Sequence, residues 1–409
     1  MKVLLIAPNV DGTDVGEAYV AFKWAEALAD KVDLTLLSFE RPGRRALAEQ
    51  LPGVRVVTWP EPAIVRRHER LNAMLKPAWP MFARKVTGWL KAALSKGERF
   101  DLTHQLMPLA ARYASPLRRF DLPYLIGPLG GTLDMPEAFK TDAGPAPLFT
   151  RLRALDALRF RWDPSLRASY AKAACILGVA PYVKDLLGPI RLKRFEPMLE
   201  LGIDAASELP RPARKAGHLR LLHVGRAVRT KGLRDAVRAL AHLKDLPEVT
   251  LTSAGGGAEI ARCKALAEQL GVADRVSFLG QQPRARIEDL YRAHDLFLFP
   301  SFREPTGGVL YEAMRNALPI VTAARGGPDF IVDDTCGFRI PVTTPDQFAK
   351  DIATQIRHCA GAPELMDRLG RQARAKVAAE GLWPVKAARL VSLYQEILHQ
   401  SSERPYTKG

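Results

Sequence analysis

Short apolar runs recur along the chain, most of them followed by a stretch with helical spacing. Residues 3–8 (VLLIAP) lead into a helical 18–30, and 32–38 (VDLTLLS) follow. Residues 122–128 (LPYLIGP) and 174–180 (ACILGVA) predict further strands. The second half repeats the rhythm. Strands are predicted over 219–225, 249–255, 275–280, 295–301, 318–323 and 337–342, with helices over 232–243, over 258–270 and from about 308. Strands separated by helices of ten to fifteen residues imply βαβ units and parallel sheets. Two such sheets are expected. A Pro- and basic-rich stretch without periodicity, 206–218, sets the boundary. The expected division is therefore 1–205, 206–384 and a C-terminal helix over 385–409, which either packs back towards the N-terminal domain or caps its own.

Length agrees with this reading, because 409 residues exceed one ordinary core. Residues 1–12 read as a first strand rather than a signal peptide, and no run of eighteen apolar residues predicts a membrane span. The four cysteines (Cys175, Cys263, Cys336, Cys359) form no CxxC pair. That pattern fits reduced thiols in a cytoplasmic protein and argues against a disulfide framework or a zinc site. The charge changes the picture more. A formal net charge of +16 calls for an anionic partner: nucleic acid, a phosphorylated ligand or a lipid surface.

Two segments carry candidate chemistry. In HVGRAVRTKGLRDAV (223–237) a strand gives way to a helix, with Arg226 and Lys231 in the turn. Two cations beside helix N-terminal N–H groups suit a diphosphate, although a solvated basic loop has the same composition. In FREPTGGVLYEAM (302–314), Gly307 and Gly308 let backbone approach a ligand where a helix begins. Glu312, one turn in, can accept hydrogen bonds from paired ribose hydroxyls, and Glu304 can meet sugar hydroxyls. Glutamates at a helix start are also favoured by the helix dipole alone.

Taken in order, GR(x4)KG, AGGG (254–257), FLGQ, PS(x2)E(x7)EAM and LPIVTA(x2)GG resemble the C-terminal domain of the family-4 retaining glycosyltransferases, over roughly 219–342. The resemblance implies an α/β, GT-B fold: two Rossmann-like domains whose parallel sheets face a central cleft. It implies that Arg226 and Lys231 hold the donor diphosphate. Glu312 would bind the ribose, Glu304 would contact the donor sugar near the reacting carbon, and Gln281 would lie by the base. Gly307, Gly308 and Val309 would line the donor. Thr306 stands where the family usually has Phe.

The N-terminal half is less similar. Gly16 falls on the second glycine of the family's glycine-rich loop, with Val15 replacing the first and Glu17 an uncommon acid beside it. His104, placed just after an expected strand, matches the first of two histidines; Leu106 stands in place of the second. It is either a catalytic candidate or a buried structural residue. Gly130 and Gly131 in GPLGG are acceptor-side candidates, or simply a tight turn.

Basic and aromatic residues interleave over 59–97 (Trp59, Trp79, Phe82, Trp89 and Leu90 with Arg66, Arg67, Arg84, Lys85 and Lys91) and again over 151–167. This composition suits docking on an anionic membrane face, or an amphipathic helix covering a core. The expectation is a metal-independent hexosyltransferase without a cofactor, moving sugar from a UDP-sugar to a lipid or lipid-linked acceptor at the inner membrane face. A soluble acceptor, a nucleotide-sugar epimerase of the same fold and, distantly, a nucleic-acid-binding protein are the alternatives.

Overall fold

The computed structural model describes residues 1–63, 78–131, 133–143, 154–206 and 218–402. The chain forms two compact units. The first joins Met1–Gly131, Pro147–Glu200 and Trp383–Gly409, and the second joins Thr132–Ala146 and Leu201–Leu382.

The first unit is built on seven parallel strands: β1 (Lys2–Asn9), β2 (Asp33–Glu40), β3 (Arg55–Pro60), β4 (Leu102–Gln105), β5 (Tyr124–Leu129), β6 (Cys175–Gly178) and β7 (Phe195–Pro197), in the order β3-β2-β1-β4-β5-β6-β7. Central strands of such a sheet are covered on both faces and so read as continuous apolar runs. β1 does so, with Val3, Leu4, Leu5 and Ile6 fully buried. Two strands, β3 and β7, are not apparent in the apolar pattern, and β4 runs on through His104 instead of ending before it. β4 has only four residues, three of them polar, yet Thr103, His104 and Gln105 are all buried. β3 is only half-buried, and β7 is a three-residue edge. The helix Trp383–Ser402 also belongs to this unit. Trp24, from the helix Glu17–Ala29, meets Trp383 edge-on at 5.6 Å and donates to the Glu200 carbonyl at 2.8 Å.

Six parallel strands make the second unit: β8 (Leu219–Val224), β9 (Val249–Ala254), β10 (Val276–Gly280), β11 (Leu296–Phe299), β12 (Ile320–Ala323) and β13 (Gly337–Ile340), in the order β10-β9-β8-β11-β12-β13. Each follows a run with strand character in the sequence. The unexpected member is Thr132–Ala146, which a single boundary at 206–218 assigns to the other domain. Phe139, on the helix Glu137–Ala143, lies in this unit's core 4.4 Å from the Phe302 ring.

Asp142 fixes the same segment by charge. One carboxylate oxygen accepts from Arg229 at 2.8 Å and Arg238 at 3.0 Å, and the other from Arg234 at 2.8 Å. Burial opposes its ionisation, but Arg238 and Arg229 outweigh that and hold its pKa down at about 2.

Candidate functional site

β8 ends at Val224, and the chain turns through Arg226 to Lys231 before the helix Leu233–Ala241. The turn is bound to two neighbouring loops. The Ala227 N–H donates to the Gly256 carbonyl at 2.9 Å, and the Ser301 hydroxyl donates to the Thr230 carbonyl at 3.0 Å. Gly232 (φ 76°) closes it where a Cβ would stand 2.0 Å from the Pro300 carbonyl oxygen, so any side chain would push the turn off the end of β11. Arg226 is exposed and Lys231 half-buried.

After β11, the chain passes Glu304 and reaches Gly307. Its left-handed conformation (φ 101°) starts the helix Gly308–Arg315. The first N–H groups of a helix have no intrahelical acceptor, which suits them to anionic oxygens. Lys231 Nζ forms an ion pair with Glu304 Oε2 and lies 5.5 Å over the Phe299 ring. The two segments singled out in the sequence therefore meet, and they meet through side chains expected to serve different parts of one substrate. Glu304 is only 7% exposed, and its carbonyl accepts from the Gly327 N–H at 3.0 Å. Glu312 is half-buried, and its desolvation raises its pKa. The Tyr291 hydroxyl, donating to its Oε2 at 3.1 Å, pulls the other way. Thr306 and Val309 flank the same helix start; Gln281 is exposed, with its Cβ near Gly256.

The remaining candidates lie in the first unit. His104 is not after a strand but inside β4, with no exposed surface. One ring nitrogen is 2.6 Å from the Tyr394 hydroxyl and the other 2.6 Å from the Gly127 carbonyl. Burial lowers its pKa to about 4, against the pull of the Gly127 hydrogen bond. It is neutral at pH 7, and both nitrogens are engaged within its own unit. That geometry gives His104 a structural place. Gly16 (φ 66°) precedes the helix that begins at Glu17. The Gly130 N–H donates to the Leu109 carbonyl at 2.7 Å, and the Gly131 N–H donates to the Tyr182 hydroxyl oxygen at 3.2 Å.

The first basic–aromatic segment needs correction. Arg66 and Arg67 lie outside the described residues. On the helix Trp79–Ser95, Trp79 and Phe82 are 5% and 0% exposed and pack in the core with Leu90. Their spacing serves the fold. In the second segment, Leu158 is 55% and Trp162 70% exposed, with the Arg161 guanidinium 5.3 Å over the Trp162 ring.

The ion cluster around Asp142 went unread in the sequence. Arg229 also binds Asp235 at 2.5 Å, and Arg234 binds Glu259 at 2.6 Å. The i, i+4 spacing of Arg234 and Arg238 was a visible signal; Asp142 lies too far away in sequence to be paired with them. Among the described residues, no group of three or more His, Cys, Asp or Glu side chains converges as a metal site would need.

A phosphate-suited turn, a glycine helix start, the buried Glu304 and the half-buried Glu312 stand at one end of a parallel sheet, and the chain carries a second Rossmann-like sheet. This is the GT-B architecture. It is shared over 97% of the chain, at 21% identity and a TM-score of 0.64, with sucrose-phosphate synthase from Thermosynechococcus elongatus, of which 99% is covered. The Anabaena protein Alr3699/HepE, solved in complex with UDP, superposes with a TM-score of 0.62 at 20% identity, over 97% of this chain and 100% of that one. Residues 207–376, most of the second unit, match the family Glycosyl transferases group 1. Among curated relatives, D-inositol 3-phosphate glycosyltransferase of Corynebacterium jeikeium is 30% identical over 241 residues, 56% of this chain and 54% of that protein. The chain spans about half the length of the curated relatives it matches.

Proposed function

We propose that the protein is a retaining glycosyltransferase that moves a hexose-type sugar from a nucleotide diphosphate sugar, a UDP-sugar in the first instance, to an acceptor hydroxyl. The observation that carries this reading is the convergence of Lys231, Glu304, the Gly307–Gly308 helix start and Glu312 beyond the ends of β8 and β11. In it, Arg226, Lys231 and the helix N–H groups take the charge that grows on the leaving diphosphate. Glu304 contacts the sugar, Glu312 the ribose. No side chain is assigned as a nucleophile. The diphosphate itself assists removal of the acceptor proton, which keeps attack and departure on one face. The UDP complex of the Anabaena protein supports the choice of nucleotide.

The acceptor reading, a membrane lipid or lipid-linked glycan reached from the inner membrane face, now rests on the exposed Leu158 and Trp162 beside Arg161. Basic residues and an exposed indole together favour an anionic interface. No helix among the described residues is long and apolar enough to cross a membrane. The test is a panel of nucleotide sugars, assayed for nucleoside diphosphate release with and without lipid extract, and for the anomeric configuration of the product. Conversion of the donor into an epimeric nucleotide sugar with no acceptor present would refute transfer. An inverted product would refute retention.

A further inference from the structure

Beside Glu304 stand two arginines to which neither the sequence nor the donor reading gives a task. Arg303 Nε donates to the Leu133 carbonyl at 2.6 Å, and Arg325 Nη1 donates to the Phe302 carbonyl at 3.3 Å, which sets it next to Arg303. Both side chains are half-buried. Of the three more deeply buried arginines described in this unit, Arg229 and Arg234 each bind two carboxylates, and Arg275 gives its guanidinium to three backbone carbonyls, those of Val249, Leu243 and Leu246. Among the described residues neither Arg303 nor Arg325 has a carboxylate within ion-pair distance. Asp134, exposed, acts on both from further off. Burial lowers the pKa of each guanidinium, and Arg325 lowers that of Arg303 further, as like charges do.

Two partly desolvated cations held together are costly unless an anion joins them. Their location says which anion. Arg303 precedes Glu304. Arg325 precedes Gly326 and Gly327, whose backbone is bound to the Glu304 carbonyl so closely that a Cβ on Gly326 would lie 2.3 Å from it. From this placement we infer that Arg303 and Arg325 bind a carboxylate or phosphate carried by a substrate close to the transferred sugar. Guanidinium forks match such groups in bidentate fashion. The anion belongs to the donor sugar, as in a uronate, or to the acceptor. The inference rests on Glu304 being the sugar-side acid.

Calorimetry on the full chain separates the two sources. One arm compares UDP-glucuronate with UDP-glucose, the other glucose 6-phosphate with glucose, with and without UDP. The anionic member of at least one pair should bind about tenfold or more tightly, and the arm that responds names the source. In the Arg303→Gln/Arg325→Gln variant that ratio should fall towards one. If that variant fails to fold, Arg325→Lys, which keeps the charge but loses the fork, should lower the ratio severalfold. Equal binding within both pairs, or a ratio unchanged in the variant, overturns the inference. Absence of UDP binding by the wild type would sink the donor reading separately, and the glucose 6-phosphate arm would still decide for or against the arginines.

Discussion

Replacing Tyr291 by Phe removes one oxygen from a fully buried ring and leaves its packing against Phe297 in place. What is lost is the hydrogen bond to Glu312 Oε2 at 3.1 Å, with a longer one to the Val309 carbonyl at 3.5 Å. A hydrogen bond to a charged group contributes about 1.5–3 kcal/mol. If Glu312 must be ionised to receive ribose hydroxyls, UDP affinity at pH 7.5 should fall roughly tenfold, at the lower end of that range. The pH profile gives the sign. Burial already raises the Glu312 pKa, so affinity is complete at high pH and is lost as pH falls through that raised value. Without the tyrosine hydroxyl the carboxylate is less well held, and the loss should begin at higher pH. Isothermal titration with UDP between pH 5 and 8, for wild type, Tyr291→Phe, Glu312→Gln and the double variant, measures both effects. In the Glu312→Gln background Tyr291→Phe should cost little. A pH midpoint that stays put or moves down, or an equal loss in both backgrounds, refutes the claim that Tyr291 acts through Glu312.

Lys231→Ala should cut turnover and weaken UDP binding by roughly 1.5–3 kcal/mol, and near-normal kinetics in the folded variant would remove Lys231 from the diphosphate site. Asp142→Asn should destabilise the protein by about 1–2 kcal/mol in urea unfolding at neutral pH, a figure discounted for partial solvent screening. Because its pKa is depressed to about 2 from 3.8, that contribution is complete above about pH 4 and disappears as pH falls towards 2, so wild type and variant should converge in acid. Trp162→Ala combined with Arg161→Glu should weaken co-sedimentation with phosphatidylserine vesicles severalfold, with salt weakening the wild type likewise; equal sedimentation of neutral and anionic vesicles would show that the exposed tryptophan serves something else.

Much of the fold was legible because parallel strands covered on both faces print themselves as apolar runs. Every strand of the second unit falls within a run with strand character. β4 is the instructive failure. Leu102, Thr103, His104 and Gln105 are buried together, so the strand runs on through three polar residues whose burial hydrophobicity cannot announce. The sequence pattern ends the strand before His104, whose ring is held inside it by Tyr394, 290 residues away. The aromatic spacing at 79–90 was visible, but spacing alone does not tell a face turned to lipid from a face turned to a core. Phe82, packed against Phe39 at 5.2 Å, decides for the core.

The residues proposed for the donor can be picked out one by one because glycine, cation and acid each have a narrow chemical use where a strand becomes a helix. Their coupling was not. A sequence shows Lys231 and Glu304 seventy-three positions apart, and a role can be given to each without asking whether they touch. Their ion pair changes the energetics of the proposed reaction. A diphosphate that binds Lys231 must compete with Glu304 for it, and the acid so released is the one assigned to the sugar. Charge neutralisation and sugar recognition are then steps of one exchange. The same reasoning separates Asp142 from Arg303 and Arg325. Three arginines gathered on one carboxylate form a closed account in which every charge has a partner, and such a cluster builds structure. Two arginines sharing a distant acid leave positive charge unmatched, and that is what a substrate can use.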